Sequence, residues 1–296
     1  MALAAYGTPS DDLLRFLTEN DFFAECWSDA DRSHFVSLAQ ARFGWKYSGR
    51  FDTKDSFLQS IVATVQAHFN TTVLSFLRQW QAHTGASRLC LSGGCALNIS
   101  CTSAIEMSGL FSDVFIPPCT SDTGLALGAA AFVEWVKCGK SLSRPLPSCP
   151  VSPFLSNFGL PEDVEVNEMR MYELIEQVVA KLECGRVVAV CNGKAEVGPR
   201  ALGHRSLLAL PTVENRDRMS MSMKKREWYR PVAPAMLLDN ALQASGRSAL
   251  PEYAQFMLCS MTILPEYRSR MPGGVHADGT ARVQVVKEDK HNLFLF

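Results

Sequence analysis

The stretch Arg88-Leu89-Cys90-Leu91-Ser92-Gly93-Gly94-Cys95-Ala96-Leu97-Asn98 decides the fold class. A short apolar run passes into a glycine pair and then into a helical pattern over residues 96–107, so the order is strand, glycine loop, helix. The same order returns at once. Val114-Phe115-Ile116 reads as a strand, residues 117–123 as a loop, and residues 124–136 as an alanine-rich helix small enough to pack closely on a sheet. Upstream, Phe57, Leu58, Ile61, Val62, Val65 and Phe69 recur at helical spacing in a segment running over residues 55–83, and Gly85 supplies its stop. Downstream, the pattern predicts a helix over 172–184 closed by Gly185, strands at 187–191 and 206–210, and a helix over 213–226 with a basic C-terminal end. Alternation of this kind argues for an α/β protein with a parallel or mixed sheet.

At 296 residues the chain is long enough for about two domains. A tract rich in Ser, Pro, Gly and Cys over residues 139–153 marks the expected boundary, near Pro150. Lys plus Arg number 29 against 30 Asp plus Glu, so the whole-chain field gives no reason to expect a nucleic-acid or membrane partner, and any anion site must be local. The ten cysteines are scattered and form no Cys-x-x-Cys pair. Reduced thiols in a cytosol-like compartment are expected. The apolar opening residues lack the charged and hydrophobic regions of a signal peptide, and no apolar run has the length of a membrane span. The expectation is a soluble, cytoplasmic protein.

Three loops in the second half carry arginine, two of them beside glycine. Glu196-Val197-Gly198-Pro199-Arg200-Ala201-Leu202-Gly203-His204-Arg205-Ser206 holds two arginines in a turn-rich segment. Lys224-Lys225-Arg226-Glu227-Trp228-Tyr229-Arg230-Pro231 adds four cations, and Gly274-Val275-His276-Ala277-Asp278-Gly279-Thr280-Ala281-Arg282 adds a histidine and another arginine. The planar guanidinium fork suits phosphate, and glycine lets backbone approach closely. A surface salt-bridge network is the simpler alternative, but it gives no reason for the glycines. In the first half, Gly93, Gly94 and Asn98 sit where helix N–H groups and unhindered backbone can meet a nucleotide, or simply where a tight turn needs glycine. Asp122, in Thr120-Ser121-Asp122-Thr123-Gly124, is placed to bind a metal or to cap the following helix.

Together with Met1-Ala2-Leu3-Ala4-Ala5-Tyr6-Gly7 and Asp122-Thr123-Gly124-Leu125-Ala126-Leu127-Gly128-Ala129-Ala130, these stretches resemble, in the right order and over nearly the whole chain, the O-carbamoyltransferase family of nodulation-factor and antibiotic tailoring enzymes. The resemblance implies the second half of an actin-like (ASKHA-type) domain in residues 1–150 and a YrdC-like domain in 151–296. It implies an ATP-dependent enzyme that moves a carbamoyl group from carbamoyl phosphate, through carbamoyl adenylate, to a hydroxyl of a small-molecule or glycan acceptor. Carried over residue by residue, it assigns Arg200, Arg205, Lys224, Arg230, His276 and Arg282 to the carbamoyl phosphate and ATP pocket. Gly93, Gly94, Asn98 and Ser206 become nucleotide contacts, and Asp122 a metal ligand. ATP with Mg2+ and a second divalent metal, iron as Fe2+, are the implied cofactors.

The chain departs from the family pattern at several points. The Ala-Tyr-Gly text stands at its first residues, no His-x-x-x-His pair occurs, and it ends at Phe296 before an expected Asn-Thr-Ser-Phe-Asn type segment. Ser220 and His204 stand where asparagine is usual. Truncation at both ends, with an incomplete second domain and no carbamoyl transfer by the chain alone, is the resulting expectation. The competing readings are a sugar kinase, a threonylcarbamoyl-transferase-like enzyme, and a non-catalytic nucleotide-binding remnant.

Overall fold

The computed structural model describes residues 1–23, 28–139, 167–191 and 195–286. The boundary expected near Pro150 lies outside the described residues. Two compact units part after Gly85: one comprises Met1–Gly85 with His276–Asp278, the other Ala86–Val275 with the residues from Gly279 on.

The first unit is helical. It contains α1 (Asp11–Glu19), α2 (Asp29–Phe43) and α3 (Ser56–Thr84). Leu13, Phe16, Leu17, Phe35, Ala39, Trp45 and Ile61 form its core. Helix α3 matches the apolar periodicity almost to the residue because both its ends are written in the sequence. Asp55 caps the start, its carboxylate accepting from the N–H groups of Phe57 at 2.8 Å and Leu58 at 3.0 Å, while Gly85 takes the left-handed conformation at φ +67° that closes the end. The other carboxylate oxygen accepts from the Trp45 indole N–H at 2.9 Å, tying the cap to the core. The Met1-to-Gly7 segment packs on α3 so closely that a Cβ on Gly7 would collide with the backbone of Gln59.

The second unit is mixed α/β, as the alternation predicts. Its elements are β1 (Arg88–Cys90), α4 (Ile99–Met107), β2 (Asp113–Phe115), α5 (Leu125–Cys138), α6 (Met171–Glu183), β3 (Val188–Cys191), β4 (Arg205–Leu208), α7 (Val213–Asp217), β5 (Ala235–Leu237), α8 (Leu238–Ser245), β6 (Met261–Thr262), α9 (Pro265–Arg268), β7 (Thr280–Ala281) and β8 (Gln284–Val286). Strands β1 and β2 pair in parallel, as do β5 and β8, whereas β3–β4 and β6–β7 are antiparallel. One core cluster gathers Ala96 and Ile116 with Ala241, Tyr253, Leu258, Ile263, Ala281, Val283 and Val285. Helix α4 is held to it by polar tethers. The buried Thr102 hydroxyl donates to the Leu258 carbonyl at 2.5 Å, and Ser103 accepts from the Ser260 N–H at 2.8 Å.

Two elements differ from expectation. The helix expected from residue 96 starts at Ile99, because Asn98 caps it and a short 3-10 turn fills Gly94–Leu97. The helix expected over 213–226 stops as an α-helix at Asp217, widens into a π-helical segment over Arg218–Met223, and ends before Lys225, whose φ of 47° no right-handed helix admits. All described cysteines are free, with Cys101, Cys119 and Cys259 buried.

Candidate functional site

Within the second unit, three loops from distant parts of the sequence come together. At the glycine pair, Gly93 adopts φ +95° and its N–H donates to the Thr120 carbonyl at 2.5 Å, two residues before Asp122. The Gly198 backbone, at φ +112°, lies so close to the same loop that a Cβ there would strike the Pro118 carbonyl. Only glycine satisfies both the torsion and the clearance. The strand-to-helix loops of the first half therefore rest against the Gly-Pro-Arg loop of the second.

The Gly-Pro-Arg loop is shaped from inside by Glu196. Its Oε1 accepts from the N–H groups of Leu202 at 2.7 Å, His204 at 2.8 Å and Arg205 at 3.0 Å. Burial works against this charge, but the backbone bonds outweigh it and hold the carboxyl below the usual glutamate range. Ser206 Oγ closes the turn by accepting from Gly203 N–H at 2.9 Å, and Gln284 Nε2, on β8, donates to the Leu202 carbonyl at 3.0 Å. The loop that presents Arg200 is thus fixed on several sides.

Around that loop the cations of all three motifs converge. Burial, and then the charge of Arg226, lower the pKa of Arg200. Arg282 is pushed down to about 9 by burial and then by Arg200 and Arg226, yet stays a cation at neutral pH. Lys224 and Arg230 are exposed at the rim. The Lys224 ammonium is nonetheless lowered by partial desolvation and by Arg226 and Arg282. Arg226 itself is lowered by burial and by Arg230, with Glu227 acting in the opposite direction. Glu227 ion-pairs with Arg230, Nε to Oε2, at 2.6 Å. The Nε atoms of Arg200, Arg226 and Arg282 are buried without a hydrogen-bond partner among the described residues. Clustered cations with orphaned donors are costly unless something anionic joins them.

Other expected site residues occupy different settings. Arg205 begins β4 and donates from Nη1 to the His204 carbonyl at 2.8 Å. His276, half-buried, belongs to the other compact unit. Gly93 and Gly94 are exposed; Asn98 is half-buried, with its side-chain oxygen accepting from the Cys101 N–H at 3.2 Å. Asp122 is exposed and opens a 3-10 turn, Asp122–Gly124, without a side-chain cap bond. No group of three or more His, Cys, Asp or Glu able to hold a metal occurs among the described residues. Arg226, Glu196, Ser220 and Gln284 are the residues that the motif reading leaves without a role. Arg226 and Glu196 lie within the basic and glycine-proline-arginine runs and Ser220 is a departure from the family pattern, whereas Gln284 is legible only through its contact with the Leu202 carbonyl.

The fold and this site define an α/β protein with a cationic, anion-ready loop cluster. The chain belongs to the carbamoyltransferase family: residues 1–131 match the family model described as carbamoyltransferase N-terminus and residues 179–295 that described as carbamoyltransferase C-terminus. It is 35% identical to nodulation protein NolO of Bradyrhizobium diazoefficiens over 77% of this chain and 43% of that protein. It is 36% identical to nodulation protein U of the same organism, over 69% and 34%, and 32% identical to nodulation protein NolNO of Sinorhizobium fredii, over 80% and 36%. The chain spans less than half the length of these relatives. No described helix is long and apolar enough to cross a membrane.

Proposed function

We propose that this chain serves an ATP-dependent O-carbamoyltransferase, with its second half forming carbamoyl adenylate. In this reading residues 1–150 belong to an actin-like transfer domain and residues 151–296 to a YrdC-like domain. Water hydrolyses carbamoyl phosphate to carbamate and inorganic phosphate, and the carbamate oxygen then attacks the α-phosphorus of ATP while pyrophosphate leaves. The acceptor hydroxyl then attacks the carbamoyl carbon, AMP departs, and the hydroxyl proton passes to solvent. Adenylation suits the problem, because carbamate is a poor electrophile whose oxygen leaves badly until it carries a phosphate ester.

The observation that carries the proposal is the convergence of Arg200, Lys224, Arg226, Arg230 and Arg282. Such a cluster offsets the charge of a triphosphate and of departing pyrophosphate, and its donors are already in place before the charge develops. The exposed Gly93-Gly94 turn, resting on the Thr120 carbonyl, offers unhindered backbone to the nucleotide. The donor set around Asp122 does not make a metal site by itself, since one exposed carboxylate holds a divalent ion weakly. No step is therefore assigned to a metal.

Pyrophosphate release from ATP, followed with and without carbamoyl phosphate, tests the reading. Release that requires carbamoyl phosphate and falls at least about 100-fold in Arg200→Gln, the loss of a transition-state charge contact, is the expected result. Release that ignores the donor, or is unchanged in the variant, would sink it.

A further inference from the structure

Arg268 lies in none of the three arginine-bearing loops, yet it rests on one of them. It ends α9, half-buried, and its Nε donates to the Ile263 carbonyl at 2.7 Å. The guanidinium turns its face to Gly279, since a Cβ there would stand 2.6 Å from Cζ, 2.6 Å from Nη2 and 2.9 Å from Nη1. Gly279 itself takes φ +80°, a torsion that glycine adopts freely and other residues do not. The Ile263 backbone closes the link, because its N–H donates to the Gly279 carbonyl at 3.0 Å. Arg268 therefore holds the same turn twice, directly and through Ile263.

The turn needs holding. Strands β6 and β7 pair over only two residues each, Met261 with Ala281 and Thr262 with Thr280, and a ladder that short does little to fix its own ends. Just beyond it stands Arg282, pushed down to about 9 by burial and then by the charges of Arg200 and Arg226. Like charges favour any backbone movement that parts them. Ala281 and Val283, wholly buried, anchor the chain beside Arg282, but Gly279 has no side chain to anchor the start of the strand. Arg268 supplies from α9 the contact that Gly279 lacks. It makes no ion pair among the described residues, so no carboxylate accounts for ordering this long side chain.

We propose that Arg268 is a positioning residue: its guanidinium clamps the Gly279 turn and so sets the backbone that carries Arg282 into the cationic cluster. It touches no ligand itself. The proposal rests on the reading of that cluster as the ATP site.

Hydrogen exchange on the full ligand-free chain reads the clamp, and calorimetric titration with ATP reads its consequence. In Arg268→Ala the amides of residues 279–282 should exchange at least about tenfold faster while α8 and β8 keep their protection. A merely structural arginine would loosen the whole core instead. ATP affinity should fall at least about tenfold in the same variant, because a displaced cation meets the ligand poorly. Arg268→Lys keeps the charge and still reaches the Ile263 carbonyl, but it lacks the planar group; it should exchange almost as fast as Arg268→Ala. Methylguanidinium at millimolar concentration should restore slow exchange and ATP affinity to Arg268→Ala, and should not restore ATP affinity to Arg282→Gln. Exchange at 279–282 that is unchanged in Arg268→Ala overturns the clamp, whatever ATP does. If exchange quickens but ATP binds as in the wild type, while Arg282→Gln loses affinity, the role of Arg268 in the site is overturned and the site stands. If Arg282→Gln also binds as the wild type does, or the wild type binds no ATP, the reading of the site falls and the proposal with it.

Discussion

At the scale of single residues, the site is a set of charges kept in place by neighbours that carry none of the ligand chemistry themselves. Glu196 is the clearest case, with three backbone N–H groups on one carboxylate oxygen. Glu196→Ala orphans all three and should cost on the order of 2–3 kcal/mol in urea denaturation, with Glu196→Gln milder because an acceptor oxygen remains. Since its folded-state pKa lies below the ordinary value, its contribution is fully present above about pH 4.5 and is lost as pH falls through the lowered value. Arg282 has the opposite sense. The folded protein holds its proton less tightly than the unfolded chain does, so the penalty is complete below about 9 and fades as pH rises through that value. Arg282→Met should therefore raise ligand-free stability by about 0.5–2 kcal/mol at neutral pH, and this advantage should shrink when denaturation is repeated near about pH 10.5. An advantage that persists unchanged there would mean the buried charge is not its source.

At the scale of elements, what the sequence shows depends on whether an element's ends are encoded locally. Helix α3 was legible because its apolar period, the Asp55 cap and the Gly85 stop all lie within one segment. Strands β1 to β4 were legible as apolar runs between turn residues. Strands β6 and β7, two residues each, carry no periodic signal and exist because Met261 and Ala281 fill the common core. The α-helix expected over 213–226 covers only Val213–Asp217, since helical spacing does not reveal a π-helical turn or a left-handed Lys225. Tethers between distant segments are equally silent. Thr102 to the Leu258 carbonyl is such a bond, and Thr102→Val, nearly isosteric, should cost about 1–2 kcal/mol in stability by leaving a buried carbonyl unpaired. A variant as stable as the parent would show that this tether contributes nothing to docking α4.

At the scale of the whole molecule, the three arginine loops were readable as motifs, but their meeting was not, because residues 200, 226 and 282 are joined only by tertiary packing. The core of this unit draws Ala96 and Ile116 into one cluster with residues from the last third of the described chain. The Gly198 and Pro118 backbones touch across the same divide. This packing makes the Gly-Pro-Arg loop dependent on the segment around Pro118, so Gly198→Ala should disturb Arg200 and reduce ATP binding without altering any charge. Equal ATP affinity in that variant would separate the two loops functionally. The central claim is that one folded unit presents these cations to a polyphosphate. Its most direct test is a crystal structure of the chain soaked with ATP. The account predicts phosphate oxygens within hydrogen-bonding reach of the guanidinium groups of Arg200, Arg226 and Arg282; ATP bound elsewhere, with those three side chains facing no phosphate, would contradict it.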